Sequence, residues 1–369
     1  MPKASQTVLE IDLNALDHNY RFITSHLKPS TKILGVVKAG GYGSDAVEVA
    51  KELLVLGADY LAVAYVSEGV ALRDAGIMAP VLVLHPQPVN FDQLIARCLE
   101  PAMYSKRVLQ AFIAKAEEHA QKNYPIHIKF NSGLNRLGFQ QEDTQWIAET
   151  LSGTDSVRVK SMFSHLAASE DMAERDFTLA QIAKFKSIAE NMNTLIGYKP
   201  ILHQSNTSAI LNYPEAELDM VRTGIGLYGY SNNPEIDKNL RPVACLKSVI
   251  SQIHKVKPGE TVGYNRAFKA SGEEVTATIP VGHADGIPRS LGNKKGFVLI
   301  NGERAPIIGN VCMDMLMVSV TDIDCNEGDE VTIIGEKIPA TILAEAGNTI
   351  SYELLTALSH RIKRVVCRK

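Results

Sequence analysis

The chain has 369 residues, of which 45% are hydrophobic, and its formal net charge at pH 7 is −3. This balance gives no electrostatic case for binding nucleic acid or an anionic membrane surface, and no apolar run approaches the roughly 20 residues that span a bilayer. The five cysteines are scattered without a C-x-x-C pair and no H-E-x-x-H is present, so we expect no disulfide framework and no metal.

The N-terminal segment lacks the apolar core of a signal peptide, which predicts a cytoplasmic protein. We assign residues 1–10 to a strand that is associated with a later β domain. Residues 11–232 then alternate short apolar runs with helical segments, as expected of parallel strands that are covered on both faces. Eight runs are candidate strands: KILGVVKA, YLAVA, APVLVLH, LEPAMYS, YPIHIKFN, VRVKSMFSHL, ILHQSN and MVRTGIGLYG. Eight strand–helix units predict a (β/α)8 barrel of the TIM type, and a doubly wound open sheet is the alternative.

Local signals support this interpretation of the first half. Asp45 and Glu48 resemble a capping box at the start of a helix, and Gly57 is suited to end it. Beyond Tyr230 the pattern changes to β-branched runs that are separated by turn signals, which predicts a mostly β domain over residues 233–369.

Two further elements are expected in this second domain. Asn301-Gly302 between apolar runs predicts a type I′ hairpin. The terminal segment ISYELLTALSHRIKRVV places four apolar residues at helical spacing and predicts a closing helix: Leu354, Leu358, Ile362 and Val365.

In a barrel of this kind, the residues that follow the strands meet at the face where active sites lie. The polar residues at these positions are Lys38, Arg136, His165, Asn206 and Arg222. Several cations at one mouth suggest an anionic ligand, and the glycines that follow the last strand would let backbone N–H groups approach a phosphate.

Lys38 is the most informative of these residues. A desolvated lysine beside other cations has a lowered pKa and forms Schiff bases, so a lysine, a phosphate site and a barrel together indicate a pyridoxal-phosphate enzyme. The alternative is a surface lysine whose stem is buried and whose ammonium reaches solvent.

The segment VVKAGGYG closely resembles the cofactor-lysine motif of alanine racemases, in which A-N-A-Y-G usually follows the lysine. Further resemblances follow in register over nearly the whole chain: EIDLNALDHNYRFI, NSGLNRLGF, FSHLAASED, HQSNTSAIL, VRTGIGLYG, VGYNRAF, VGHADGIPR, GNVCMDMLMV and ISYELLTALSHRIKR. The family combines a pyridoxal-phosphate barrel with a β domain. The resemblance implies a head-to-tail homodimer that interconverts L-alanine and D-alanine and supplies D-alanine for peptidoglycan.

The resemblance also implies roles for individual residues. Lys38 would carry the cofactor and act as the base on one face of the substrate Cα, while Tyr264, which reaches the partner subunit's site in the family, would be the base on the other face. A free tyrosine has a pKa of roughly 10 and needs nearby cations to favour its phenolate, and His165 and Arg222 are the candidates. Arg222 would face the pyridine nitrogen, with His203 holding it in place.

The remaining binding positions come from the same resemblance. The cofactor-binding positions near the phosphate are Tyr42, Asn206, Thr207, Gly224, Ile225 and Tyr352, and Thr207 stands where a serine is usual. Arg136 would meet the cofactor's phenolic oxygen and the substrate carboxylate, with Met313 offering its N–H across the dimer and Cys312 and Asp314 lining the same wall. Some members carry a carbamylated lysine at the position of Lys129.

Departures from the family pattern bear on specificity. His283 and Ile287 stand where tyrosines are usual near the entrance to the site, which predicts a wider or less polar entrance and some tolerance for serine. The alternative within the family is a racemase of both alanine and serine.

Two alternatives outside the family are a related barrel enzyme that decarboxylates basic amino acids and a non-catalytic carrier of the cofactor.

Overall fold

The computed structural model describes residues 4–231 and 233–369. Within these residues, none of the helices has the length and hydropathy that a membrane crossing requires. The strands are β1 (Val8–Asp12), β2 (Lys32–Val36), β3 (Tyr60–Val63), β4 (Val81–Val83), β5 (Glu100–Met103), β6 (Tyr124–Lys129), β7 (Val157–Phe163), β8 (Ile201–His203), β9 (Met220–Thr223), β10 (Ala244–Val249), β11 (Gln252–Val256), β12 (Thr261–Val262), β13 (Phe268–Lys269), β14 (Glu274–Ile279), β15 (Phe297–Ile300), β16 (Glu303–Ile308), β17 (Leu316–Ser319), β18 (Glu330–Ile334) and β19 (Lys363–Cys367). The helices are α1 (Leu13–Thr24), α2 (Lys38–Tyr42), α3 (Ala46–Val55), α4 (Val66–Asp74), α5 (Phe91–Ala96), α6 (Lys106–Glu118), α7 (Thr144–Ser152), α8 (Arg175–Ile196), α9 (Thr207–Asn212), α10 (Pro234–Asp237), α11 (Ala340–Ala346) and α12 (Ser351–Thr356).

Strands β2 to β9 form a closed parallel barrel in chain order. All eight predicted strands are confirmed, and the open-sheet alternative is wrong because β2 pairs with β9, for example Ile33 with Val221. Helix α3 begins as predicted after Asp45, whose Oδ1 accepts from the N–H groups of Val47 and Glu48. The carboxyl ends of the strands therefore share one mouth, as the placement of the site residues requires.

The second unit is built on a nine-stranded sheet in the order β11-β14-β17-β16-β15-β18-β10-β1-β19. Strand β1, which precedes the barrel in the chain, pairs antiparallel with β10 and parallel with β19. The predicted hairpin joins β15 to β16, and Asn301 and Gly302 at its tip have φ of 52° and 86°, as a type I′ turn requires.

The prediction of a closing helix is wrong for its last part. Helix α12 ends at Thr356, and residues 363–367 form β19 instead, with Val365 opposite Glu10 on β1. Leu354 lies on α12, but the helix ends before Leu358, and β-branched residues next to an open strand edge favour sheet pairing over a longer helix.

The start of β19 contacts the loop behind Lys38. The guanidinium of Arg364 donates to the carbonyl oxygens of Gly43 (3.0 Å), Ser44 (3.3 Å) and Leu358 (3.0 Å). This contact fixes the β domain against the segment that positions Lys38.

Candidate active site

One cavity of about 770 Å³ opens at the carboxyl ends of the barrel strands. It gathers every residue that we predicted to bind the cofactor: Lys38, Tyr42, Arg136, His165, Asn206, Thr207, Arg222, Gly224, Ile225 and Tyr352. The strand-end argument and the motif resemblance therefore indicate the same place in the barrel.

Lys38 enters this cavity from α2, which is a single left-handed turn rather than a regular α-helix. After β2, the backbone of Ala39, Gly40 and Gly41 has φ of 53°, 64° and 67°, a left-handed region that glycine adopts without the penalty of a Cβ. Oε1 of Glu68 accepts from the Ala39 N–H at 2.6 Å and holds the turn. Burial, with the charge of Arg136 adding to it, lowers the pKa of Lys38, so its amine loses a proton more readily than an exposed lysine does.

Thr207, Gly224 and Gly226 form a small cradle on one side of the cavity. The Thr207 hydroxyl oxygen accepts from the N–H groups of both glycines at 3.3 Å. A methyl group on Gly224 would lie 2.3 Å from the hydroxyl oxygen of the buried Tyr42, so glycine is required there by close approach. Asn206 begins α9 just before Thr207, and its Oδ1 accepts from the Ala209 N–H.

Arg222 is buried beside the cavity and held by five hydrogen bonds. One terminal nitrogen bonds Nδ1 (2.8 Å) and the carbonyl oxygen (3.2 Å) of His203. The other bonds the carbonyl oxygens of Ser164 (2.7 Å) and Gln204 (3.0 Å) and Nδ1 of His165 (3.2 Å). Burial lowers the pKa of Arg222 to about 9, so the guanidinium keeps its charge at neutral pH.

The two histidines that contact Arg222 are neutral. Burial, followed by the charge of Arg222, holds the pKa of both His165 and His203 well below 6.5. A positive charge on His165 is therefore disfavoured in the single chain, because the desolvated ring faces several positive groups. Arg222 is the cation of this pair.

Lys129 and Arg136 add positive charge at the same mouth. Lys129 is buried with its ammonium 5.9 Å from the centre of the Phe163 ring, and burial together with Arg136 lowers its pKa to about 8. The Oδ1 atom of Asn131 accepts from the N–H groups of Gly133 and Asn135 and so shapes the loop that carries Arg136.

Four predicted residues lie elsewhere, around a shallow cavity of about 530 Å³ on the β domain: Tyr264, Cys312, Met313 and Asp314. A single chain does not bring them to Lys38. Tyr264 is 74% exposed and Met313 is 59% exposed, which is unusual for side chains of their size.

The two departures near the entrance have different surroundings. His283 is exposed, but Ile287 is only 1% exposed and packs in the hydrophobic core. The prediction that Ile287 widens the entrance is therefore wrong, because an apolar side chain there is covered by the protein itself.

Sequence reasoning missed two residues near Lys38. His85 lines the cavity directly after β4, so the strand-end rule that found the other residues would have found it too. Glu68 lies in the first turn of α4 and acts on backbone N–H groups, and no local pattern connects it with Lys38.

Comparisons with known proteins point to one family. Family models match residues 11–232 (alanine racemase, N-terminal domain) and residues 243–366 (alanine racemase, C-terminal domain). Alanine racemase 1 of Clostridium acetobutylicum is 39% identical over 368 residues, which cover 96% of this chain and 94% of the relative.

Two solved structures show the same architecture. An alanine racemase of Clostridium difficile 630 superposes with a TM-score of 0.93 at 36% identity and covers 99% of this chain and 97% of that chain. An alanine racemase of Bartonella henselae with covalently bound pyridoxal phosphate has a TM-score of 0.89 at 28% identity, covering 99% of this chain and 100% of that chain. Because both family models and these whole-length similarities agree, the chain is a member of the alanine racemase family.

Proposed function

We propose that this chain is a pyridoxal-phosphate-dependent racemase that interconverts L-alanine and D-alanine. The observation that carries the proposal is the single cavity in which Lys38, the neutral His165 and the guanidinium of Arg222 meet the glycine cradle. By resemblance to the family, the D-alanine would supply peptidoglycan synthesis in the cytoplasm.

The residues present fit pyridoxal phosphate. Tyr42 leaves no room for a Cβ on Gly224, and the Thr207 hydroxyl, whose oxygen accepts from the N–H groups of Gly224 and Gly226, can donate its own proton to a phosphate. Lys38 supplies the amine that would hold the cofactor's aldehyde carbon. When bound, the cofactor acts as an electron sink for negative charge at the substrate Cα.

Lys38 would also move the proton on one face of the substrate. Its pKa is lowered by burial, so its nitrogen is available as a base at a lower pH than an ordinary lysine nitrogen. Arg222, whose two terminal nitrogens are fixed by five hydrogen bonds, would present its remaining N–H, on Nε, to the pyridine nitrogen and keep that nitrogen unprotonated, because a guanidinium gives up its proton reluctantly.

Tyr264 would move the proton on the opposite face, in the site of a partner subunit. The exposure of Tyr264 and Met313 supports a head-to-tail homodimer in which this surface covers the mouth of the partner's barrel. Arg136 and the backbone N–H of Met313 would then hold the substrate carboxylate, with Cys312 and Asp314 beside them.

The same proposal divides the chain into residues 1–10 and 233–369, which form the β domain, and residues 11–232, which form the barrel. The pairing of β1 with β10 and β19 supports the assignment of the first strand to the β domain, and this pairing continues to Asp12, two residues past the proposed boundary. Residues 1–3 and residue 232 lie outside the described residues. The decarboxylase alternative has no support, since the family models and the whole-length relatives are alanine racemases.

A complementation experiment tests the proposal. Lys38→Ala and Tyr264→Phe are each expected to abolish racemisation of both enantiomers, and only Lys38→Ala should lose the visible absorbance of the lysine-held cofactor. Mixing and reassociating the two variants should restore about a quarter of the wild-type activity, because half of the dimers then contain one intact site. No recovery on mixing would contradict a site shared between two subunits. A wild type that binds the cofactor but does not racemise alanine would show that alanine is not its substrate.

A further inference from the structure

Five consecutive barrel strands each contribute one polar side chain to a buried row that ends at Arg222. The row consists of Glu100 on β5, His127 on β6, Ser161 on β7, His203 on β8 and Arg222 on β9. His127, Ser161 and His203 have no solvent exposure, and the side chain of Glu100 is 14% exposed.

Each member of the row bonds the next. Oε2 of Glu100 lies 2.7 Å from Nε2 of His127, whose Nδ1 lies 2.6 Å from the hydroxyl oxygen of Ser161. That oxygen lies 2.9 Å from Nε2 of His203, whose Nδ1 lies 2.8 Å from the Arg222 guanidinium. The strand register makes this possible, since His127 and Ser161 are direct partners on β6 and β7.

The direction of every bond follows from its two ends. A guanidinium only donates, so Nδ1 of the neutral His203 accepts and its proton is on Nε2. Nε2 therefore donates to Ser161, whose own hydroxyl proton goes to Nδ1 of His127. His127 then carries its proton on Nε2 and donates to the carboxylate of Glu100.

We propose that Glu100 is a positioning residue for the reaction, which acts through His127, Ser161 and His203 to fix the orientation of the Arg222 guanidinium. The proposal rests on the proposed function, in which Arg222 faces the cofactor. Phe163 closes the row from one side, stacked on His203 at 4.9 Å and lying under Arg222 at 5.4 Å. With its flank closed by this ring, Arg222 takes its direction from the row, from three carbonyl oxygens and from Nδ1 of His165.

Glu100 is suited to be the anchor because it is a carboxylate that completes the row with an acceptor. Tyr60, the first residue of β3, stays a neutral phenol beside Glu100, because burial and the charge of Glu100 raise its pKa. The row thus runs from a cation to an anion, an arrangement in which successive hydrogen bonds strengthen one another.

The first test determines which ring nitrogens of His127 and His203 carry protons. Nitrogen-15 spectra of the full chain labelled at histidine, with signals assigned from His127→Gln and His203→Gln, should show both rings neutral with the proton on Nε2. A proton on Nδ1 of either ring, or a doubly protonated His127, would overturn the proposal. This measurement does not depend on racemase activity, so it separates failure of the row from failure of the proposed function.

The second test reads the effect on the site. We expect Glu100→Ala and Ser161→Ala to lower kcat by at least ten-fold and to shift the pH dependence of the cofactor absorbance. The single variants Glu100→Gln and Ser161→Thr keep a hydrogen-bonding group in place and should retain most of the wild-type kcat. Glu142→Ala, an exposed carboxylate, is the control. If Glu100→Ala lowers only the melting temperature and leaves kcat and the absorbance unchanged, Glu100 is merely structural and the proposal fails.

Discussion

Arg361 holds Asp285 through two hydrogen bonds, at 2.7 Å and 2.9 Å, and its terminal nitrogen also lies 2.8 Å from Asp314. Asp285 in turn accepts from the Gly282 N–H at 2.8 Å. Two loops are thereby joined, and the next two N–H groups, of His283 and Ala284, donate to the carbonyl oxygens of residues 312 and 313. Arg361 thus positions the loop that would offer an N–H to the substrate carboxylate.

Replacing Arg361 by alanine should therefore affect substrate binding more than the chemical step. We expect Arg361→Ala to raise the KM for alanine on the order of ten-fold, the factor that about 1.4 kcal/mol of lost binding gives, with a smaller change in kcat. Steady-state kinetics in both directions measure this. Arg21→Ala, which removes an exposed ion pair with Asp17, is the matched control, and an unchanged KM for Arg361→Ala would contradict the role of the loop.

Gly224 and Tyr42 should show coupled effects. Gly224→Ala forces a methyl group to within 2.3 Å of the Tyr42 hydroxyl oxygen, and we expect cofactor affinity to fall on the order of ten-fold or more, since overpacking costs about 1–3 kcal/mol. In Gly224→Ala/Tyr42→Phe the loss should be smaller than the sum of the single losses, because the clashing oxygen is absent. Fluorescence titration with the cofactor measures all three variants.

The control for this cycle is Gly272→Ala, because a Cβ there meets no atom within 4 Å. Strict additivity of the two losses would mean that Tyr42 and Gly224 act independently.

Lys129 should make the stability of the cofactor-free chain depend on pH. Its pKa is about 8 in the folded state and 10.5 as an ordinary lysine, so between these values the unfolded chain binds more protons and stability rises with pH. Below the lower value the buried ammonium destabilises the fold, and Lys129→Met should be more stable than wild type by up to about 3 kcal/mol at neutral pH.

Urea unfolding near neutrality and at about pH 10 tests this, with the advantage of Lys129→Met shrinking at the higher pH. Lys122→Met is the control, since that lysine is exposed and pairs with Asp155 at the surface. An advantage that does not change with pH would show that the effect comes from packing alone.

His283 is the remaining candidate for a wider entrance. We expect wild type to racemise serine detectably beside alanine, and His283→Tyr to lower the ratio of serine to alanine kcat/KM several-fold by restoring the bulk that the family usually has. Competition assays with both amino acids measure the ratio. Ile287→Val changes only a buried side chain and should leave the ratio unaltered, and negligible serine turnover by wild type would refute the idea.

The barrel could be predicted from the sequence because each of its strands is a short apolar run with a helix on either side. The end of the chain could not, since Leu354 lies on helix α12 while Val365 extends a sheet through β1, more than 350 residues earlier in the chain. Pairing over such a distance leaves no local signal.

The site divides in the same way. Lys38 and Arg222 could be found because parallel strands end at one mouth. The hydrogen bond between His127 and Ser161 depends on the register of two strands, which the sequence does not state. Tyr264 and Met313 were assigned through family resemblance alone, because no pattern in the sequence connects them with the barrel. In the single chain they are exposed and line a separate cavity on the β domain.

The contacts of Arg361 and Arg364 make the activity sensitive to mutations that alter only the end of the chain. Arg364 fixes the loop behind the chain's own Lys38, while Arg361 fixes the loop that would serve the partner. A frameshift near the 3′ end of the gene would leave the codons of Lys38 and Tyr264 intact and still lower the activity of the product. In the proposed dimer, such a product would impair both sites when it pairs with a normal subunit, because it lacks the contacts that fix its own Lys38 loop and the loop that would serve the partner.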